Sequence, residues 1–75
     1  MPEGLPRRYS RRVDDLILAG VRVLLVEDSY DTREGIRVLL KQRGADVTAV
    51  ATAAEALAAL PEVRPHVLLS DIAAA

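Results

Sequence analysis

The sequence predicts an α/β domain built on a parallel sheet, and three observations carry that prediction. Val21-Arg22-Val23-Leu24-Leu25-Val26 is an almost unbroken apolar run entered through Gly20, which reads as a strand covered on both faces. Strand-like and helix-like segments then alternate to the end of the chain, and helical crossovers imply parallel pairing with right-handed connections. Two of the strand-like runs end in carboxylates: the first in Glu27-Asp28, the last, Val67-Leu68-Leu69-Ser70, in Asp71. Strands covered by helices on both sides put their chemistry at their carboxyl ends. Two such strands side by side would gather Glu27, Asp28 and Asp71 at one edge.

Length and composition bound the alternatives. A chain of 75 residues is long enough for one small domain and too short for two. Hydrophobic residues make up 51% and charged residues 28%, a globular rather than a disordered balance. With two Tyr and no Phe or Trp, the core must be aliphatic. A formal net charge of -1 supplies no general attraction to nucleic acid or to an anionic membrane. The absence of cysteine excludes disulfides and thiolate metal sites. No apolar stretch is long enough to span a bilayer and no secretory h-region opens the chain, so a cytoplasmic protein is the default expectation.

Residues 1–20 read as a lead-in or linker. Pro2, Gly4 and Pro6 break any regular element. Arg7, Arg8, Arg11 and Arg12 form a basic cluster, offset by Asp14 and Asp15 and best read as a solvated segment. Val13, Leu16 and Ile17 recur at helical spacing, and Gly20 would stop such a helix.

Residues 21–75 read as the domain itself. After the acidic pair, Asp31-Thr32-Arg33-Glu34 has capping-box spacing, with Ser29 as the competing N-cap. Ile36, Leu39 and Leu40 follow at helical intervals, so a helix is expected over about Thr32 to Arg43, closed by Gly44. Val47, Thr48 and Val50 fit a second strand, and Asp46 suits an edge position. Thr52-Ala53-Ala54-Glu55 is a standard capping box. It opens an Ala-rich helix whose sheet-facing residues should be Ala53, Ala56, Leu57 and Leu60. Pro61 should end that helix, with Glu62 to Pro65 as the return loop to the third strand.

The three carboxylates are the chemistry-bearing feature. Two carboxylates about 4 Å apart repel by roughly 4 kcal/mol at an effective dielectric near 20. A stable domain gathers three only around something positive, and a hard divalent cation with oxygen ligands, Mg²⁺ above all, is the natural candidate. Such a cation attracts phosphoryl oxygens, and one carboxylate could then act as a nucleophile and form an acyl phosphate. The competing reading is three solvated strand-end acids that never meet.

Taken in order, Val23-Leu24-Leu25-Val26-Glu27-Asp28-Ser29, Gly44-Ala45-Asp46-Val47, Ala51-Thr52-Ala53-Ala54-Glu55-Ala56-Leu57 and Pro65-His66-Val67-Leu68-Leu69-Ser70-Asp71 resemble the first half of a response-regulator receiver domain. The resemblance covers about Val21 to Ile72. It implies a flavodoxin-like, doubly wound parallel sheet, truncated here to βαβαβ, with strand order 2-1-3. By the same resemblance Asp71 is the phosphoacceptor of a two-component phosphorelay, served by a histidine kinase or phosphotransfer protein. Glu27, Asp28 and Asp71 would hold Mg²⁺, joined by the backbone carbonyl of Ala73. The chain departs from the family after Asp71, where only Ile72 and alanines remain. The Ser/Thr of the fourth strand and the Lys of the fifth have no counterpart, so the sequence reads as a truncated receiver, a phosphoacceptor module rather than an enzyme. A non-catalytic fragment that at most binds a kinase or partner is the alternative. The outer edge of the third strand would then be bare and prone to association.

Other residues have simpler readings. His66, the single histidine, lacks the helical bundle a phosphodonor needs and reads as a loop residue. Ser70 has no accompanying base. Gly20, Gly35 and Gly44 are too scattered for a dinucleotide or P-loop motif.

Overall fold

Five elements alternate along residues 17–70, the part of the chain that the computed structural model describes. They are β1 (Arg22–Val26), α1 (Tyr30–Gln42), β2 (Asp46–Val50), α2 (Ala53–Val63) and β3 (Val67–Ser70). The sheet is parallel throughout, in the order β2-β1-β3. The predicted βαβαβ architecture and strand order are therefore both present. β1 is central because it carries the longest apolar run: Val23, Leu24, Leu25 and Val26 are all buried. Leu24 faces Thr48 in β2 and Leu68 in β3, which fixes the register.

The two crossovers leave β1 and β2 in opposite directions across the sheet, so right-handed connections put the two helices on opposite faces. Alternation along β1 divides its side chains accordingly. Leu24 and Val26 form the core with Ala56 of α2, flanked by Val50, Ala59 and Val63. Val23 and Leu25 point to the α1 side.

The α1 helix begins two residues earlier than expected, and Ser29 wins the competition for its N-cap. The Ser29 side chain accepts from the Thr32 N–H at 3.5 Å. Asp31 lies inside the first turn, and Glu34 turns forward to Arg37 instead of back to a cap. The C-terminus follows the expected pattern. Gly44, at φ +96°, donates to Lys41 O at 3.0 Å while Ala45 N–H reaches Leu40 O at 3.2 Å. That pair of bonds is a Schellman motif, and it needs the left-handed conformation glycine adopts without steric cost.

The α2 helix has the capping box that its sequence announces. Thr52 Oγ1 accepts from Glu55 N–H at 3.1 Å, and Glu55 Oε1 accepts from the N–H groups of Thr52 and Ala51 at 3.2 and 2.9 Å. One expectation for this helix is corrected. Pro61 does not end it; the helix continues to Val63 and closes at Arg64, which takes the left-handed conformation at φ 48°. Proline costs a helix the bond from its own nitrogen, here to Leu57 O, and Leu57 lies on an open side that water can reach. The Arg64 carbonyl accepts from Arg22 Nε at 2.8 Å, which holds the turn in place. The four residues expected to face the sheet, Ala53, Ala56, Leu57 and Leu60, all line the space between α2 and the strands, together with Val26, Leu68 and Ser70. Ala56 is buried there, with Ala59 and Val63 packed on the same core, while Leu57 and Leu60 stay 68% and 38% exposed because that space is open.

Residues 17–20 form a turn beneath the sheet, where Leu18 N–H donates to Arg43 O at 2.8 Å. Gly20, at φ +81°, makes the reversal into β1. The basic cluster and the helical spacing of Val13 and Leu16 lie outside the described residues.

Candidate functional site

The site lies at the carboxyl end of β1. Glu27 is the first residue past the strand, and its N–H still donates to Val50 O at 3.0 Å, so β2 holds it in sheet geometry. Alternation places its side chain on the α1 face, where it is only 4% exposed. A buried carboxylate needs partners. Glu27 Oε2 accepts the Ser29 N–H at 2.8 Å, which folds the loop back over the strand end. Asp28, at the apex, is exposed.

Ser29 then starts α1, and the helix returns a second support. Arg33 Nη1 donates to the Glu27 carbonyl at 2.8 Å, with its guanidinium carbon 5.4 Å from the centroid of the Tyr30 ring. The loop is thus clamped from both ends: β2 on its backbone before the turn, the first helical turn on its carbonyl after it. Arg33 and Tyr30 are positioning residues that sequence reasoning missed. No motif or periodicity marked them, since Arg33 reaches back from the first turn of α1 to a backbone carbonyl.

The third strand runs beside β1 in register, with Val26 opposite Ser70. Its residues therefore reach the same edge of the sheet as Glu27. Asp71 and Ala73, the remaining predicted site residues, lie outside the described residues. Among the described residues there is no cluster of three or more acidic, histidine or cysteine side chains placed to hold a metal ion. The donors present at the strand end are carboxylate oxygens, one buried and one exposed, a set that suits a hard cation such as Mg²⁺.

His66 has a structural role at the opposite end. Its N–H donates to Arg22 O at 2.8 Å and its Nδ1 accepts the Arg22 N–H at 2.9 Å, so both edges of the residue stitch the start of β3 to the start of β1. No helix among the described residues is long and apolar enough to cross a membrane.

Comparison with known proteins agrees with this geometry. The response regulator receiver domain family matches residues 23–73, from the start of the buried strand to just past the third. An uncharacterised 14.6 kDa protein from the sodA1 3′ region of Leptolyngbya boryana is 43% identical over 56 residues, 75% of this chain and 43% of that protein. The chain thus spans less than half the length of the curated relative it matches. No solved structure matches. A buried central strand ending in an acidic loop, its order 2-1-3 and the matched span together show that this chain belongs to the response regulator receiver domain family.

Proposed function

We propose that the chain acts in phosphorelay signalling by accepting a phosphoryl group on Asp71. Receiver domains in general are phosphoacceptor modules and not classical enzymes. The observation that carries the reading is the clamped acidic loop, in which Glu27 is buried and bonded to Ser29 N–H while Asp28 stays open.

In this reading Glu27 and Asp28, with Asp71 and the Ala73 carbonyl, hold Mg²⁺. The ion, when bound, neutralises the carboxylates and draws in phosphoryl oxygens. A carboxylate oxygen of Asp71 attacks phosphorus and the P–N bond to the donor histidine breaks. The product is an acyl phosphate on this chain and a free imidazole on the partner. The donor is a histidine kinase or a phosphotransfer protein. The competing reading, a receiver-like fragment that binds a kinase surface without taking phosphate, keeps the fold and loses the chemistry.

Mg²⁺ titration of the 75-residue chain, followed by amide chemical shifts, tests the loop. Shifts centred on residues 26–29 that vanish in Asp28→Ala support metal holding. Shifts spread evenly over the surface, or unchanged in that variant, count against it.

A further inference from the structure

We infer that His66 is an acid-sensitive latch between the first and third strands, closed while its imidazole is neutral and released when the ring takes up a proton. The latch lies on the side of β3 that faces β1, at the amino ends of both strands. Arg22 and His66 exchange two bonds there. The Arg22 carbonyl accepts the His66 N–H at 2.8 Å, and the Arg22 N–H donates to His66 Nδ1 at 2.9 Å. The strand pairing proper begins one residue later, with Val23 opposite Val67. At the entry to the ladder a side-chain nitrogen thus stands in for a strand carbonyl.

That replacement makes the bond titratable. A backbone N–H can only donate, so Nδ1 must carry a lone pair and the proton of the neutral ring sits on Nε2. A carbonyl keeps its lone pairs at any pH, whereas a protonated imidazole donates at both nitrogens and accepts at neither. Protonation sets two N–H groups face to face and takes the partner from the Arg22 N–H. The other bond of the pair, from the His66 N–H, then holds the corner alone.

The surroundings offer the added charge no counter-ion. Arg22 sends its Nε to the Arg64 carbonyl at 2.8 Å, so two guanidinium-bearing residues adjoin His66 on the β1 side and on the loop after α2. The other charged residues at this end of the sheet are Glu62 in the last turn of α2, Asp46 in register with Arg22, and Lys41 and Arg43 at the end of α1. Among the described residues neither carboxylate comes within ion-pair distance of the ring, the one such pair being Arg37–Glu34. The carboxyl end of α2 attracts cations, but the Arg64 carbonyl already accepts from Arg22. Only the neutral ring is bonded in this corner.

The latch lies far from the acidic loop, at the opposite end of the same strands, and needs no phosphoryl chemistry. Its release frees the foot of β3, the strand whose other end sets Ser70 opposite Val26.

Amide spectra and urea unfolding of the full chain, from about pH 8 to about pH 5 where imidazoles titrate, test this inference. His66→Asn is the reference, since its Oδ1 stands near the place of Nδ1 and accepts without titrating. In the wild type the Arg22 amide resonance should move with the same midpoint as the His66 ring protons, and it should stay in place in His66→Asn. Stability from the bond is present while the ring is neutral and lost as pH falls. Relative to His66→Asn, the wild-type unfolding constant should therefore rise about fivefold across this range, the equivalent of one net hydrogen bond. If His66→Asn does not fold, His66→Ala supplies the complementary reading: the wild-type advantage at high pH should shrink as pH falls. An Arg22 amide indifferent to titration of the ring overturns the inference. So does a wild-type stability that keeps a constant distance from the variant over the whole range.

Discussion

Leu24→Ala and Leu39→Ala delete the same three carbons and should differ widely in cost. Leu24 is 0% exposed, against Ala56 and Val26 in the centre of the core, whereas Leu39 on α1 is 49% exposed. At about 0.8 kcal/mol per buried methylene, the transfer loss at Leu24 is roughly 2.4 kcal/mol. The unfilled space raises the total to about 3–5 kcal/mol, since the neighbours relax only in part. At Leu39 half of the side chain is already wet, and alanine's higher helix propensity offsets part of the remainder, leaving about 1 kcal/mol or less. A small domain of 75 residues has a net stability of about 4–11 kcal/mol. Leu24→Ala therefore removes about a quarter of it or more. Urea denaturation followed by circular dichroism, with both variants at the same chain concentration, measures the gap. Equal midpoints, or a larger loss for Leu39→Ala, would refute the claim that β1 is the centre of the core.

The caps and the surface ion pair give further expectations. Thr52→Ala should cost about 1 kcal/mol through loss of the bond to Glu55 N–H, read as a lower urea midpoint. Glu55→Ala should cost at least as much, because Glu55 Oε1 satisfies the N–H groups of both Thr52 and Ala51. Glu34 is held below the usual carboxylate range, chiefly by its hydrogen bond from Arg37. A carboxyl lowered in the folded state adds stability above its unfolded pKa and loses it as pH falls through the folded value. Glu34→Gln should therefore lower the melting temperature slightly at neutral pH and leave it unchanged in strong acid. Because the pair is at the surface, added salt should erase most of the difference.

Much of the fold was legible because several levels agreed. The Val21–Val26 run, the Thr52–Glu55 capping box and Gly44 each call for one local structure, and each local structure is compatible with the same parallel sheet. Where the reading failed, two local signals competed. Ser29 and Asp31 both offered a cap for α1, and the backbone entering from the Glu27 turn favoured Ser29. Pro61 signalled a stop, but a proline near the end of a helix removes one bond to a solvated carbonyl, too little to break the last turn. The inward stripe of α2 was read too narrowly: Ala53, Ala56, Leu57 and Leu60 line the space over the sheet as expected, but Ala59 and Val63 pack on the core beside Ala56. For the site, the carboxylates were visible as strand-end acids. The clamp by Arg33 was not, because a side chain reaching back to a carbonyl leaves no periodic trace.

Incubation with acetyl phosphate and Mg²⁺, followed by intact-mass spectrometry, tests the central claim most directly. Acetyl phosphate supplies the phosphoryl group without a cognate kinase, so the measurement isolates the chain's own chemistry. The account predicts appearance of a single phosphoryl adduct that requires Mg²⁺, is lost in Asp71→Ala and is strongly reduced in Asp28→Ala. No adduct on a sample shown to be folded, or an adduct that survives Asp71→Ala, would contradict it.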